Sequence, residues 1–445
     1  MSQPSQGDTR RDFLKTSAAA AVGAAVTGLG FVPAVHAAGS DAVKVGIIGC
    51  GGRGSGAGEN VLQSAKGVEV VALGDYFENN AYALKDRLRA FAEEDKTCKE
   101  LGNKCVEPAV YGGLDAYKKV LDTPGLNYVI LSTPPGFRPY HLQAAIAAGK
   151  NVFAEKPVAV DGPGVRLCFE LYEQALAKGL GIAAGTQRRH QAPYIETIKR
   201  IHDGEIGDIV AGRCYWNNTN DIWFRKRKPG QNNFDYQMYN WYHFLWLCGD
   251  HICEQHVHNL DVINWATRSH PIRCLGMGGR VTPCKDPNED GNKYNFFAVE
   301  YEYPNGLRVQ SMCRQINNVD GNFPGLSGVS EAVVGTKGSA NIDQYRINGQ
   351  QVATRQQVRG ARDPYIQEHT DLIESMRGAK PINELKNVTE STLTAIMGRM
   401  SAYTGKVITW EQALNSKEKT MPDKLDANAS LPVPPVPVPG KTPFV

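Results

Sequence analysis

Two stretches of the chain carry side chains that together could move a proton and a hydride. The first is Asp250-His251-Ile252-Cys253-Glu254-Gln255-His256-Val257-His258-Asn259-Leu260-Asp261. Read as one helix, it sets Glu254, His258 and Asp261 on one face through i,i+4 and i,i+3 spacing. An imidazole held by carboxylates is suited to accept a proton from an alcohol while hydride leaves the same carbon. Those carboxylates, when ionised, would raise the histidine above its usual pKa of about 6.5. The expected consequence is a rate that falls on acidification. His256 faces elsewhere on a regular helix and reads as a packed or hydrogen-bonded histidine. A His-x-His metal site would lack a clear third ligand, so no metal is expected.

The second stretch is Glu155-Lys156-Pro157, after the apolar run Asn151–Ala154. A lysine at the carboxyl end of a buried strand could donate to a substrate oxygen, which lowers the cost of an alkoxide-like transition state. The alternative is a surface lysine in an X-Pro turn. Arg188 follows another apolar run, Leu180–Gly185, which is expected to open a second domain. Arg188 could hold substrate hydroxyls or a carboxylate bidentately, or form a salt bridge between domains. Tyr242 and Asp261 are further candidates for substrate contact.

These groups need elements that position them. Val43–Ile48 reads as a buried parallel strand, and Gly49, Gly51 and Gly54 follow at G-x-G-x-x-G spacing. The first glycine permits a tight turn, the second lets backbone approach a pyrophosphate, and the third lets the next helix pack on the strand. The loop, with Gly52 and Arg53, then opens a helix whose N-terminus favours phosphate. A second strand, Val68–Gly74, ends in Asp75, about 20–25 residues beyond the glycines, where a carboxylate suits the ribose hydroxyls of NAD and disfavours NADP. The alternative for Asp75 is a strand-end loop carboxylate. Tyr128–Leu131 is a strand ending in Ser132-Thr133-Pro134-Pro135, again at a carboxyl end, where ligands of open α/β sheets bind. Strands alternating with helices imply a doubly wound parallel sheet.

The glycine loop, the strand ending Ser-Thr-Pro-Pro, the later His141 and the run Ala-Gly-Lys-Asn-Val-Phe-Ala-Glu-Lys-Pro together resemble the Gfo/Idh/MocA family. The resemblance spans roughly residues 42–412. It implies an N-terminal Rossmann domain over 42–160 and, over 161–414, an α/β substrate domain with a large open, mostly antiparallel sheet. It implies NAD or NADP and a sugar, polyol or sugar-derivative substrate. It also implies cofactor contacts from Gly49, Gly51, Gly52, Arg53, Gly54, Asp75, Ser132, Thr133, Pro134, His141, Glu155 and Lys156, and a cis bond before Pro157. The family carries a carboxylate four residues before its histidine, usually Asp. Here it is Glu254, one methylene longer, which leaves its role less certain than that of His258. Strand signals at Ile209–Trp216, Arg273–Thr282, Phe296–Tyr303, Leu307–Arg314, Glu331–Gly335 and Ser339–Ile342 suit the second sheet.

The N-terminus carries Thr9-Arg10-Arg11-Asp12-Phe13-Leu14-Lys15, a twin-arginine signature, then an Ala/Gly/Val stretch and Val35-His36-Ala37 for cleavage. Residues 1–38 therefore read as an export signal, with the twin-arginine machinery as partner and the periplasm as destination. A protein exported folded can carry its cofactor with it. A net charge of +3 with both signs abundant gives no nucleic-acid signal, and no apolar run beyond the N-terminus reaches membrane-spanning length. Ten cysteines are too few for a disulfide scaffold, though Cys98 and Cys105 could pair in an oxidising compartment. The aromatic-rich stretch between Trp216 and Leu247 could stack on a sugar face, or pack at an interface. Its Arg225–Lys228 run reads as a solvated face. The tail 415–445 turns polar and then proline-rich, so it either straps onto a neighbouring subunit or stays loose. A homo-oligomer is expected.

Three functions fit. One is an exported oxidoreductase with a tightly bound nicotinamide cofactor. Another is an NAD-dependent glycosidase that oxidises, eliminates, adds water and re-reduces. The third is a non-catalytic sugar sensor, which the presence of both Lys156 and His258 argues against.

Overall fold

The computed structural model describes residues 42–320, 328–353, 355–378, 380–422, 425–427 and 431–445. The export signal expected at 1–38 lies outside them. The first sheet has six parallel strands in the order β3-β2-β1-β4-β5-β6. They are β1 (Val43–Ile48), β2 (Val68–Asp75), β3 (Ala109–Gly112), β4 (Tyr128–Leu131), β5 (Asn151–Ala154) and β6 (Ile182–Ala184). Val45 pairs with both Val70 and Tyr128, which puts β1 in the middle of the sheet. β4 and β5 are buried at every position, as expected of strands covered by helices on both faces. The order reverses between β1 and β4, so their carboxyl ends form the crevice of a dinucleotide fold.

One boundary differs from expectation. The strand within Leu180–Gly185 does not open a second domain. It is the edge strand β6, with Val152 opposite Ile182 and Ala154 opposite Ala184. Its brevity and apolar composition suit either sheet, and long-range pairing decides.

The second sheet has nine strands, in the order β14-β13-β12-β11-β7-β10-β9-β8-β15. They are β7 (Ile209–Asn218), β8 (Arg273–Gly279), β9 (Phe296–Glu302), β10 (Arg308–Gln315), β11 (Val329–Gly335), β12 (Ser339–Asn341), β13 (Arg346–Ile347), β14 (Gln350–Gln351) and β15 (Ile408–Thr409). All neighbours are antiparallel except β7 and β10. One face packs on the helices Val257–Thr267 and Leu385–Thr404, the latter buried along most of its length. The other face leaves Leu275 and Met277 exposed at 52% and 72%.

The proline-rich end runs along its own chain. Gln237 donates to the Leu431 carbonyl, Tyr294 Oη to that of Pro437, and Ser416 Oγ to that of Val445. Cys98 and Cys105 are separate buried thiols, and Cys98 Sγ points at the Leu62 carbonyl at 3.5 Å. No helix among the described residues is long and apolar enough to cross a membrane.

Candidate active site

At the end of β1 the chain turns at Gly49, with φ +96°, and a Cβ there would stand 2.5 Å from the Thr133 nitrogen. At Gly54 a Cβ would meet the Gly49 oxygen at 1.9 Å. Both positions therefore need glycine. Gly51 and Gly52 differ: a Cβ on either would project into open space. They begin the helix Gly52–Leu62, whose N-terminus has no side-chain cap. An uncapped helix start facing a cleft presents N–H groups to an anion.

Asp75 braces this loop. Its carboxylate accepts from Cys50 N at 2.7 Å, Phe77 N at 2.8 Å and Asn80 Nδ2 at 3.1 Å. Burial raises its pKa against those three donors. It also lines the cleft of about 530 Å³ that runs past Gly49, Gly51, Gly52, Ser132 and Thr133. Asp75→Ala should therefore weaken NAD binding roughly 10- to 100-fold, the size expected for a carboxylate that accepts several hydrogen bonds. It should narrow the preference for NAD over NADP as well. Titration with both nucleotides checks this, and unchanged discrimination would remove Asp75 from the ribose site.

His141 sits behind the cleft. Its Nδ1 lies 3.1 Å from Thr133 Oγ1, and its ring stacks on Tyr117 at 4.4 Å. Burial and Arg138 push its pKa down to about 3, so it is neutral. It positions Thr133 and lines a smaller cavity shared with Asp75 and Tyr117.

The cleft adjoins a second cavity of about 250 Å³, with Arg53, Ser132, Thr133 and Trp241 lining both. Lys156 reaches this cavity from the end of β5, and its bond to Pro157 is cis. Its Nζ donates to the Glu254 backbone carbonyl and, at 3.0 Å, to Glu254 Oε1. Each of these side chains is only 9% exposed. His258 lines the same cavity, stacked near Trp216 with ring centroids 6.0 Å apart. Buried atoms around the two cavities that have no hydrogen-bond partner among the described residues include Ser132 Oγ, Glu254 Oε2, His258 Nδ1 and Arg53 Nη2. Unpaired buried polar atoms are costly, so they mark where a ligand would bond.

The acid–base segment is not the single helix expected. Helix His251–Glu254 ends at Gln255, and a new helix starts at Val257. Asp250, with φ +71°, sets the first piece by accepting from His251 N, Tyr294 N and Tyr403 Oη. Glu254 and His258 still meet at the cavity. Asp261 does not: it holds Arg189 bidentately at 2.8 and 2.9 Å and accepts from Ser391. The expected upward shift of His258 is accordingly reversed. Burial pushes its pKa well below 6.5, and the cations Lys156, Arg188 and Arg53 add to this. His256 is buried, its Nε2 lies 2.7 Å from Ser311 Oγ, and its pKa is lowered to about 3.

Two expected substrate contacts lie elsewhere. Arg188 Nη1 pairs with the fully buried Glu331 at 2.6 Å, the salt-bridge alternative. Tyr242 is buried, and its Oη accepts from Gln315 Nε2 at 2.8 Å. Neither lines either cavity. No cluster of three or more metal-ligating side chains stands among the described residues.

Other side chains line the small cavity. Glu155 pairs with Arg53 at 2.9 Å, and the Arg53 guanidinium rests 4.8 Å over the Tyr365 ring. Trp241 faces the small cavity from the aromatic-rich stretch. That stretch does two jobs. Phe234, Tyr236, Phe244 and Trp246 pack into a core cluster with Phe137, while Trp223, Arg225, Tyr239 and Trp241 line the larger cleft. Arg225 is exposed, as read from the sequence, and also lines the cleft, whereas Arg227 pairs with Glu289. The aromatic composition pointed to this stretch; Tyr365 had no local signal.

A parallel sheet in this order, a glycine-lined crevice and an uncapped helix at its mouth define a dinucleotide-binding Rossmann protein. Residues 43–185 match the family described as "Oxidoreductase family, NAD-binding Rossmann fold" (GFO_IDH_MocA). The chain is 26% identical over 167 residues to an inositol 2-dehydrogenase of Gluconacetobacter diazotrophicus, covering 37% of this chain and 43% of that one. It is 26% identical over 233 residues to inositol 2-dehydrogenase 1 of Saccharopolyspora erythraea, covering 52% and 56%. The matches thus span about half the length of these curated relatives. Among solved structures, scyllo-inositol dehydrogenase from Lactobacillus casei with bound NAD(H) and scyllo-inositol superposes with a TM-score of 0.59 at 17% identity, covering 83% of this chain and 99% of that one. GenD2 from gentamicin A biosynthesis, in complex with NAD, gives 0.60 at 16% identity, covering 83% and 97%. These structural likenesses speak to the fold.

Proposed function

We propose that the chain is an NAD-dependent oxidoreductase acting on a CH–OH group of a sugar, polyol or sugar derivative. The observation that carries this reading is the meeting of Lys156, Glu254 and His258 in one small cavity that adjoins the glycine-lined cleft. NAD, when bound, supplies the hydride acceptor or donor. The neutral His258 accepts the hydroxyl proton as the carbon–hydrogen bond breaks. Lys156 donates to the same oxygen and stabilises the negative charge that develops on it. Glu254 holds the ammonium in place. Trp241 offers an aromatic face to the C–H surface of a carbohydrate.

The N-terminal signature supports twin-arginine export, and with it a periplasmic site of action and a cofactor that travels inside the folded protein. A cofactor retained in this way must be reset on the protein. A second carbohydrate does that in one reading. In the other, the same substrate takes the hydride back after elimination and water addition, making the enzyme a glycosidase. The exposed apolar face of the second sheet, with Leu275 and Met277, supports self-association into a homo-oligomer.

The test is to mix NAD-loaded protein with polyols, aldoses and aryl glycosides while following nicotinamide absorbance and aglycone release. A new reduced-nicotinamide band supports net oxidation. Aglycone release without a lasting band supports the glycosidase. Neither signal with any carbohydrate would overturn the proposal.

A further inference from the structure

The cleft has a floor and a roof. The floor is the glycine loop. The roof is the stretch from Trp223 to Trp241, which belongs to no repeating element of either sheet. It is clipped to the end of β2: Tyr76 Oη donates to Asp235 Oδ1 at 2.5 Å, and the Tyr76 ring lies 5.1 Å from Phe234. Phe77 meets Tyr239 edge-on at 6.2 Å.

Arg225 hangs from this roof in an unusual setting. Its guanidinium rests over Trp223 at 4.2 Å and over Tyr239 at 4.4 Å. One nitrogen, Nη1, donates to the Tyr239 carbonyl at 2.9 Å, and its backbone N donates to Asn240 Oδ1. Among the described residues no carboxylate pairs with it, whereas Arg227, two residues on, has Glu289. The group is thus a fixed cation without an anion, lining the same cleft as Gly51 and Gly52. The aromatic faces hold the planar group in one orientation. The uncapped helix N-terminus that lines the same cleft favours negative charge. Two positive features that line one cleft suit a phosphate.

We propose that Arg225 is a phosphate-binding residue of the dinucleotide site, holding the pyrophosphate from the roof opposite the glycine loop, so that the bound cofactor is gripped from both sides. The inference rests on the dinucleotide reading of the cleft and assigns a residue outside the Rossmann sheet to it. A pyrophosphate and the 2′-phosphate of NADP share the relevant chemistry. Asp75, whose carboxylate lines the same cleft, repels the second, so the pyrophosphate is assigned.

The experiment loads full-length wild type, Arg225→Gln and Arg225→Lys with NAD or NADP. It then measures dissociation constants and the nucleotide left after gel filtration, released by denaturation. The expected result is a loss of affinity of roughly 10- to 100-fold in Arg225→Gln, similar for both nucleotides, as for removal of one charge-assisted contact. Arg225→Lys, which keeps the charge but not the stacked plane, should fall between. Melting temperatures check that the variants stay folded, since the side chain is exposed. Equal retention by wild type and Arg225→Gln overturns the inference. So does a loss seen with NADP alone, which would move the contact to the 2′-phosphate. Wild type that binds neither nucleotide would overturn the functional reading itself, and this inference with it.

Discussion

Replacing Lys156 with methionine should lower the single-turnover oxidation rate about 10²- to 10³-fold, the usual cost of losing one donor aimed at a developing oxyanion. Nucleotide should stay bound, because the glycine loop rather than Lys156 faces the pyrophosphate. The methionine replaces most of the apolar stem and removes only the ammonium. That leaves Glu254, 9% exposed and 3.0 Å from the missing cation, with a buried charge and no partner. Breaking a buried pair in this way costs about 3–5 kcal/mol, so the variant should also melt earlier. Adding Glu254→Gln removes the stranded charge. The double variant should recover stability and stay slow. Stopped-flow absorbance with a nucleotide count gives the rate, and thermal melting gives the stability. A Lys156→Met protein that turns over near the native rate would take the lysine out of the reaction.

His258→Asn should lower the rate by about 10²- to 10⁴-fold, the range for a positioned general base. The pH profile sharpens the test. A base works only when neutral, and His258 is held neutral because burial and the charges of Lys156, Arg188 and Arg53 push its pKa well below 6.5. The sign follows: lowering the pH from 8 to 6.5 should leave wild type unlimited by this group, and the acidic limb should lie below pH 6.5. His256→Asn should keep that limb, because His256 bonds Ser311 away from the cavity. A limb centred at or above pH 6.5 that vanishes in His258→Asn would mean that the carboxylates, not the cations, govern the imidazole. Persistence of the limb in His258→Asn would move the base elsewhere.

That reversal shows where the sequence was legible and where it was not. The parallel sheet could be read because its signals are local: an apolar run, glycines at fixed spacing, a carboxylate at the next strand end. Lys156 could be read for the same reason, since it follows its strand directly. The environment of His258 could not. Glu254 was expected to serve the histidine and instead binds Lys156, 98 positions away. Asp261 was expected on the same face and instead holds Arg189. Arg188 is fixed by Glu331 on β11. Each of these partners is chosen by tertiary packing, and residue type alone left several open. The break at Gln255 is of the same kind, because Asp250 is tied to Tyr294 and Tyr403 by long-range bonds. The strand within Leu180–Gly185, expected to open the second domain, instead closes the edge of the first sheet, because three short apolar residues carry no mark of the partner strand. The aromatic stretch advertised itself by composition, but which rings would roof the cleft depended on its attachment to Tyr76.

A crystal structure of the full chain loaded with NAD would show whether the nicotinamide reaches Lys156, Glu254 and His258. The pyrophosphate should lie at the start of the helix Gly52–Leu62, a ribose beside Asp75, and the nicotinamide ring in the cavity of Lys156, Glu254 and His258. A nicotinamide ring directed away from that cavity, or a dinucleotide bound outside the glycine-lined cleft, would contradict this placement.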